Sequence, residues 1–362
     1  MKPFFSILLP TKNRSEIVGG AIESALRQTF KDFELVISDN DDSDTATAQV
    51  VAGYSDPRIR YFRTSGKLAM YENWENVLHH AEGQYSLVLE DKMRLVENAL
   101  EILNHHLLGK AAKVVSFNVQ FAKEAELPKI PFIPTAEIWK RDAVIELFVN
   151  FSQLFFVLHP KGLDSCAPTE LLKGLKKISP TGLVFSYICP DYASGFLLLS
   201  EVETILWIST PLIYVPNNWM GSSKYSNGQA TYNKTSMARR FLDELPVSAE
   251  EIQQFSPVKS KWLWINMVIY DYCTKYRYAA SNKINLIQYH AFCVVLVMMG
   301  KRLGSGMEEE RDAIRQSLKG RSFGFRCQVY WSVFWRLCLI ASGIAKKKFA
   351  NWFGSRAVPI PP

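Results

Sequence analysis

Carboxylate side chains follow two short apolar runs of this chain, at points where the polypeptide would leave a buried strand. Asp39 comes soon after the run at residues 35–37, while Glu90 and Asp91 follow the run at residues 85–89. A carboxylate can accept hydrogen bonds from the base or ribose of a nucleotide. Because ligands of α/β proteins bind beyond the carboxyl ends of the strands, these positions predict a nucleotide site.

The elements that must position these groups begin with an apolar run at residues 4–9. The run is short and uncharged, as is typical of a strand buried on both faces. Pro10 ends it, and a polar turn leads to Ser15 and Glu16, which we expect to cap a helix over residues 17–28. This helix has apolar residues at a 3.6-residue period, and the next apolar run forms a second strand. The pattern predicts a βαβ unit.

Beyond this unit, the pattern continues to alternate between apolar runs and amphipathic segments. It predicts strands near residues 59–62, 85–89, 114–118 and 210–215, and helices at 71–81, 96–108, 137–151 and 169–177. Helical segments that are rich in aromatic residues follow at 262–280, 286–299 and 327–345.

Several motifs in this order resemble those of the family-2 glycosyltransferases, inverting enzymes of the GT-A fold that use nucleotide-sugar donors. They are Pro10-Thr11-x-Asn13-Arg14, Ser38-Asp39-Asn40-x-x-x-Asp44, Asn73-Trp74-Glu75, Ala81-x-Gly83-x-Tyr85 and Leu87-Val88-Leu89-Glu90-Asp91. The resemblance covers about the first hundred residues well, the next hundred loosely and the C-terminal part hardly at all. It implies an α/β GT-A fold with a Rossmann-like mixed sheet in residues 1–235. A helical, basic C-terminal region would occupy residues 236–362.

The resemblance also implies a donor site. Its residues would be Pro10, Thr11, Asn13, Arg14, Asp39, Asn40, Lys67, Asn73, Glu90 and Asp91. Asp39 and Asn13 would hold the nucleoside of the donor, which we expect to be a UDP-sugar. A plain surface lysine is the alternative for Lys67, and a helix cap is the alternative for Asn73. A later loop would cover the diphosphate through Ser222, Ser223 and Lys224, although a plain surface loop fits this segment almost equally well.

Glu90 and Asp91 lie where the resembled family has its DxD signature. Those carboxylates bind a divalent cation that offsets the charge on the leaving diphosphate. Asp91 aligns with the first Asp, but Met93 occupies the place of the second. Since Mg²⁺ needs few protein ligands, we expect Asp91 to hold Mg²⁺ or Mn²⁺ together with the phosphates. Two alternatives stay open: Lys92 or Arg94 supplies the positive charge directly, or the site has lost catalysis.

Asp191 is the predicted catalytic base. It follows an apolar run and precedes a helix, whose dipole and free N–H groups would stabilise a carboxylate. Inverting transfer needs a carboxylate that takes the proton of the acceptor hydroxyl, and the resembled family places it about a hundred residues after the metal motif. Pro190 stands where a Glu often precedes this base, and a plain helix N-cap is the alternative. No carboxylate lies near His159 in the sequence to orient it, so we expect a structural role.

Charge is unevenly distributed along the chain, whose formal net charge is +7. From Lys301 onward there are 12 Lys and Arg against 4 Asp and Glu, whereas the first 300 residues have 30 against 31. This distribution argues against nucleic-acid binding by the catalytic domain. The 6 cysteines are scattered singly and predict reduced thiols. The N-terminus has no signal-peptide pattern, so we expect a cytoplasmic protein.

The segment at residues 327–345 has a single charged residue, Arg336, and three lysines follow it. A spanning helix would rarely keep an arginine at its middle. A helix lying in the membrane plane, with a polar stripe and a basic end, would dock on anionic lipid. We therefore expect residues 325–353 to contact the inner face of the plasma membrane, with aromatic residues at the interface: Trp331, Trp335, Trp352 and Phe353. The alternative is a helix packed on the protein's own core.

These patterns predict an inverting glycosyltransferase that transfers a sugar from a nucleoside-diphosphate-sugar to a hydroxyl of a glycan or lipid-linked oligosaccharide. Surface polysaccharide biosynthesis would be its setting. The alternative is a non-catalytic nucleotide- or glycan-binding scaffold at the membrane, with a degraded metal site. A sugar nucleotidyltransferase fits less well, because the Gly-rich basic loop after the first strand is absent.

Overall fold

The computed structural model of the protein describes residues 2–41, 45–108, 113–122, 130–131, 133–216, 242–243, 245–302 and 306–341. The chain divides into two compact units. The first consists of Met1–Ile138, Leu158–Met220 and Ile360–Pro362, and the second of Trp139–Val157 and Gly221–Pro359. The predicted domain boundary at residue 235 lies outside the described residues and stays a prediction.

The described residues form strands and helices that alternate in the first part of the chain. The strands are β1 (Phe5–Thr11), β2 (Phe33–Asp39), β3 (Ile59–Arg63), β4 (Tyr85–Val88), β5 (Arg94–Leu95), β6 (Val115–Ala122), β7 (Ala136–Lys140), β8 (Ser165–Pro168) and β9 (Thr204–Pro216). The first eight helices are α1 (Ser15–Leu26), α2 (Ala46–Ala52), α3 (Met70–His79), α4 (Ala99–Leu107), α5 (Arg141–Val149), α6 (Phe155–Leu158), α7 (Thr169–Gly174) and α8 (Pro190–Glu201). The later helices are α9 (Ala249–Gln253), α10 (Trp264–Lys275), α11 (Leu286–Arg302), α12 (Glu308–Lys319) and α13 (Phe323–Ala341).

A mixed sheet forms the centre of the first unit, and its strands lie in the order β3-β2-β1-β4-β8-β6-β9-β5. Strand β1 runs parallel to β2 and β4, whereas β8 is antiparallel to β4. The register pairs Thr11 with Asp39, so β1 and β2 end at the same edge. This edge therefore brings together the polar residues that follow both strands, and the predicted mixed α/β sheet is confirmed.

Apolar residues explain why these strands form the core. All residues of β1 and β2 are buried, as expected for parallel strands covered on both faces. Helix α1 buries one side against the sheet through Val18, Ala21 and Ile22. The helix begins at Ser15, so the residue before it is Arg14, not the predicted caps. The backbone carbonyl of Arg14 accepts the first helical N–H bonds, while its side chain is used elsewhere.

The second unit contains helices α9 to α13, and α11 packs against both α12 and α13. The aromatic helical segments predicted from the sequence are present here, with shifted ends. Helix α12 was not predicted. The helix expected at 137–151 was placed too early, because its first residues form β7. Within the described residues, no helix combines the length and apolar character that a membrane crossing requires.

Candidate active site

Asp91 lies just beyond β4, beside the carboxyl end of β1, and its side chain is buried at 2% exposure. Its Oδ2 accepts a hydrogen bond from the Thr11 hydroxyl at 3.0 Å, and its Oδ1 accepts one from the Arg14 guanidinium at 2.8 Å. Burial by itself lowers the pKa of Arg14, but the attraction and hydrogen bond of Asp91, together with the charges of Glu90 and Glu16, raise it overall. The structure therefore joins three predicted donor-site residues in one buried ion-pair cluster.

Asp39 is fully buried at the end of β2, and both of its carboxylate oxygens have a donor. The backbone N–H of Asp41 donates to Oδ1 at 3.0 Å, and the Tyr61 hydroxyl donates to Oδ2 at 2.6 Å. Burial and the hydrogen bond to Asp39 raise the pKa of Tyr61. Each carboxylate oxygen can accept a second bond, so a ribose or base would share Asp39 with Tyr61. Sequence analysis did not single out Tyr61, which β3 brings beside β2.

Two of the three predicted asparagines, Asn73 and Asn40, brace the site through backbone contacts. The Asn73 amide donates to the carbonyls of Thr11 and Ser38, at 3.1 Å and 3.3 Å, and ties the ends of β1 and β2 together. Asn73 lies inside α3, so it is not the cap of that helix. Asn40 bonds the backbone N–H and carbonyl of Leu68 and fixes the following loop. Both amides therefore shape the site through the backbone.

The remaining predicted donor residues differ in their exposure to solvent. Pro10 is buried in β1, whereas the side chains of Asn13 and Lys67 are exposed. Asn13 has a φ of 51°, a left-handed conformation that asparagine tolerates. Ser222, Ser223 and Lys224 lie outside the described residues.

The charged residues in the loop after β4 have different partners. Lys92 forms an ion pair with Glu90 at 2.8 Å. The Met93 side chain lies in the hydrophobic core, where it packs with the sheet and α1. Arg94 is buried and donates to the carbonyls of Asp91 and Met93, at 3.2 Å and 2.9 Å. Arg94 therefore holds the loop in shape, and the alternative that it neutralises the donor's phosphates is not favoured by these contacts.

Asp191 lies in the first turn of α8, which begins with Pro190. The N-cap residue is Cys189, so the alternative of Asp191 as a plain N-cap is wrong. Burial raises the pKa of Asp191 and the charge of Glu90 adds to the rise, while Lys161 and the backbone N–H of Tyr192 oppose it. The antiparallel pairing of Leu87 with Cys166 places the end of β4 beside the start of β8, and the turn before β8 is bonded to Asp191, so the loop after β4 and the start of α8 lie on the same side of the sheet.

A lysine–aspartate pair that sequence analysis missed lies beside Asp191. Lys161 Nζ is 2.6 Å from a carboxylate oxygen of Asp164, and burial raises the pKa of Asp164 to about 7. The N–H of Gly162 donates to the Asp191 carbonyl at 3.0 Å, which ties this turn to α8. The sequence offered one signal for this pair, which is the presence of opposite charges three residues apart in an otherwise apolar segment. Lys161, although paired with Asp164, is also the cation whose charge favours the ionised form of Asp191.

His159 is fully buried and its ring stacks on Tyr192. Its Nε2 lies 3.2 Å from the Tyr192 carbonyl, and burial lowers the pKa of the imidazole to about 3. The ring is therefore neutral, in agreement with the predicted structural role. All 6 cysteines are free, as the sequence predicts.

Comparison with known proteins identifies a family match for part of the chain. Residues 6–159 match the family described as glycosyl transferase family 2. This part of the chain, less than half of its length, is similar to glycosyl transferase family 2. The predicted resemblance to this family is confirmed over these residues. Lys161, Asp164 and Asp191 lie beyond the matched residues.

Two curated relatives and one solved structure illustrate the similarity. The GalNAc(5)-diNAcBac-PP-undecaprenol beta-1,3-glucosyltransferase of Campylobacter jejuni is 33% identical over 168 residues, 44% of this chain and 53% of that protein. The UDP-Glc:alpha-D-GlcNAc-diphosphoundecaprenol beta-1,3-glucosyltransferase WfgD of Escherichia coli is 28% identical over 97 residues, 27% of this chain and 38% of that protein. The chain thus spans about half the length of the first relative. The alignment with the crystal structure of S. aureus TarS 1–349 in complex with UDP-GlcNAc covers 89% of this chain and 93% of that chain, with 16% identity and a TM-score of 0.49. This similarity is too distant to support a function.

Members of this family generally use a divalent metal ion. In the part of the chain that the structure describes, no group of three or more His, Cys, Asp or Glu side chains could hold one. Asp91 is the carboxylate of the motif that lies in the cluster with Thr11, and Met93 takes the second carboxylate's place. Mg²⁺ is commonly held by one or two carboxylates together with substrate phosphates and water. Asp91 therefore fits as the single protein carboxylate of an ion that the donor's phosphates would largely hold.

Proposed function

We propose that this protein transfers a sugar from a nucleoside-diphosphate-sugar, with UDP as the expected nucleotide, to a hydroxyl of a glycan or lipid-linked oligosaccharide. The observation that carries the proposal is the antiparallel pairing of β4 with β8, which sets the loop after β4 beside the turn that bonds Asp191 through Gly162. A base candidate and the donor residues therefore share one site. The two curated relatives, whose names specify undecaprenol-linked acceptors, support a lipid-linked acceptor and surface polysaccharide biosynthesis.

In this mechanism Asp39, together with Tyr61, holds the nucleoside, and the Asp91 cluster lies at the diphosphate. The carboxylate of Asp191 takes the proton of the acceptor hydroxyl while the oxygen attacks the anomeric carbon. The bond from that carbon to the diphosphate breaks, the nucleoside diphosphate leaves with the electron pair, and the anomeric configuration inverts. When bound, Mg²⁺ or Mn²⁺ on Asp91 supplies positive charge to the leaving diphosphate. Arg14, which pairs with Asp91, and Lys92, which pairs with Glu90, would add further positive charge beside the diphosphate.

The decisive experiment measures nucleoside diphosphate release from a panel of nucleotide sugars, with Mn²⁺ or with EDTA. We expect release from one donor, and a fall of about 10²-fold or more in Asp191→Asn when an acceptor is present. Asp32→Asn, which changes an exposed carboxylate just before β2, is the matched control and should retain activity.

The metal and scaffold alternatives give different outcomes in the same assay. Loss of release with EDTA and in Asp91→Ala supports the metal on Asp91, whereas release that persists with EDTA assigns the positive charge to Arg14 and Lys92. If no donor is turned over and calorimetry detects no nucleoside diphosphate binding, the transferase is excluded and the scaffold is favoured.

We also infer that the protein works at the inner face of the plasma membrane, where residues 325–353 contact the surface. From residue 313 to the end of the sequence there are 9 Lys and Arg and no Asp or Glu. Such a segment is attracted to anionic lipid head groups. Residues 342–353 lie outside the described residues, so the support from the structure comes from α13 alone.

A further inference from the structure

Helix α13 has its polar stripe turned toward the protein and its aromatic residues turned to the solvent. The hydroxyl of Ser332 and the guanidinium of Arg336 both donate to Gln288 Oε1 of α11, each at 2.8 Å. On the other side, Trp331 is 63% exposed and Phe334 is 54% exposed. Val329 and Val333 are buried on the inward side, next to this polar stripe. The sequence alternative of a helix packed on the protein is therefore realised by valines and polar side chains together, and the aromatic residues form a second apolar face that stays uncovered.

Arg336 anchors this arrangement. Its guanidinium donates to the carbonyls of Phe151 at 2.9 Å and Asn150 at 3.3 Å, just beyond the C-terminus of α5. A cation is stabilised at that end of a helix. Burial lowers the pKa of Arg336 to about 10, so it stays charged at neutral pH. The contacts fix the rotation of α13, and with it the outward direction of the aromatic residues.

A groove of about 1020 Å³ opens along the same helix, wholly within the second unit. Its apolar lining comes from three helices: Trp331, Trp335, Leu339 and Ile340 of α13, Ile287 and Val295 of α11, and Leu147 of α5. Gln288 and Arg336 also line it. The volume is of the size that accommodates a small-molecule ligand. Since Trp331, Trp335 and Ile340 are also exposed, the groove is continuous with the apolar face of α13.

We propose that this groove binds one hydrocarbon chain of an anionic phospholipid, with α13 lying along the membrane surface. The proposal rests on the membrane contact of the proposed function and deepens it by naming the lipid and its binding site. The apolar lining suits the chain, and tryptophan and tyrosine side chains of the exposed face suit the membrane interface. The acid-free basic segment from residue 313 onward suits the anionic head group.

Charge also argues for a lipid over a second copy of this chain. Two copies that met through α13 would bring together two segments that each have 5 Lys and Arg, and no Asp or Glu, over residues 313–341. Like charges across an interface oppose association. An anionic bilayer presents the complementary charge to the same surface.

The test compares the binding of the full chain to vesicles of phosphatidylcholine alone and of phosphatidylcholine with phosphatidylglycerol. Trp335→Ser removes an aromatic side chain that lines the groove, and Phe334→Ser removes a neighbour of similar exposure that does not. We expect binding to the anionic vesicles to fall about tenfold in Trp335→Ser and about threefold or less in Phe334→Ser. Equal losses in the two variants overturn the groove, because they indicate contact by the exposed face alone.

Two further measurements keep the outcomes separate. Native mass spectrometry should find one phosphatidylglycerol retained per chain, and none in Cys327→Trp, which fills the groove from an exposed position. Nucleoside diphosphate release without vesicles should be unchanged in the same variants. If nucleoside diphosphate is released but no lipid is retained, the lipid-binding groove is overturned and the transferase stands. If lipid is retained but no nucleoside diphosphate is released, the groove stands and the transferase is overturned. A dimer that depends on Trp335, found by light scattering together with no lipid retention, overturns the proposal in favour of self-association.

Discussion

At the scale of single residues, the carboxylates of the site differ in which cation lies beside them. Asp91 has Arg14, Asp164 has Lys161, and Asp191 has no ion pair of its own in the described residues but lies in the field of Lys161. A base must be ionised to take a proton, and burial alone would favour its protonated form. Lys161 therefore has a positioning and electrostatic role, and its effect should appear in a pH profile.

Replacing Lys161 with methionine should move the acidic limb of the pH–rate profile to higher pH. The rate rises with pH as Asp191 ionises, and removing the neighbouring positive charge raises the pKa of that carboxyl. We expect a displacement of about 1 pH unit, the size of an effect from one nearby charge. Lys176→Met is the matched control, since Lys176 is also ion-paired, with Glu75 at 2.8 Å, but is not among the charges that act on Asp191. An unshifted profile with a reduced rate at every pH would contradict the electrostatic role.

Asp164 makes a separate prediction about stability. Its pKa is raised to about 7 by burial, above that of an unfolded chain, so the folded state binds its proton more tightly. The carboxyl therefore destabilises the fold progressively as pH rises from about 4 to 7, and by a constant amount above that. Urea unfolding should show the free energy of unfolding of the wild type falling by about 2–4 kcal/mol over this interval relative to Asp164→Asn. Parallel curves for the two proteins would contradict the raised pKa.

At the scale of elements, the features that the sequence predicted arise from local properties of the chain, whereas those that it missed arise from contacts between distant residues. The strand over 4–9 and the helix after it were predictable, because their apolar periods are local properties of the chain. The antiparallel strand β8 was missed because its pairing with β4 joins residues about eighty positions apart. The Lys161–Asp164 pair was missed for the same reason, since its relation to Asp191 arises from packing on α8. The short polar motifs placed Thr11, Arg14 and Asp91, but not their mutual hydrogen bonds.

The contact of α1 with Arg94 provides an element-scale test. A Cβ added at Gly20 would lie 2.1 Å from Arg94 Nη2, so the buried guanidinium would have to leave the carbonyls that it bonds. Alanine in a helix interior normally gains about 1 kcal/mol over glycine. We expect Gly20→Ala instead to lower the free energy of unfolding by about 1–3 kcal/mol, because polar groups in the loop after β4 lose their partners.

Gly19→Ala is the control for this substitution. Its added Cβ would contact the Tyr54 hydroxyl at 3.2 Å and otherwise only Val50 at 3.8 Å. Denaturant unfolding should find Gly19→Ala neutral or slightly stabilising. The affinity for the donor should fall in Gly20→Ala but not in Gly19→Ala. If the two variants have the same stability and donor affinity, Arg94 moves without consequence for the loop after β4.

At the scale of the whole molecule, charge separates the two activities that we propose. The first 300 residues hold 30 Lys and Arg against 31 Asp and Glu, whereas the remainder holds 12 against 4. The candidate transferase residues all belong to the nearly neutral part, and the proposed lipid contact belongs to the basic part. Salt screens exposed charges over about 8 Å at physiological ionic strength and over about 3 Å at 1 M, but it affects buried pairs much less.

Ionic strength should therefore affect vesicle binding and donor turnover differently. Raising NaCl from about 50 mM to about 500 mM should weaken binding to phosphatidylglycerol-containing vesicles by about tenfold or more, because head-group attraction is screened. Nucleoside diphosphate release without vesicles should change by less than about twofold, since the Arg14–Asp91 pair is largely buried. Co-sedimentation and the release assay on one preparation check both expectations. Salt-resistant vesicle binding would mean that the apolar face of α13 suffices for docking, and the basic segment would then need another role.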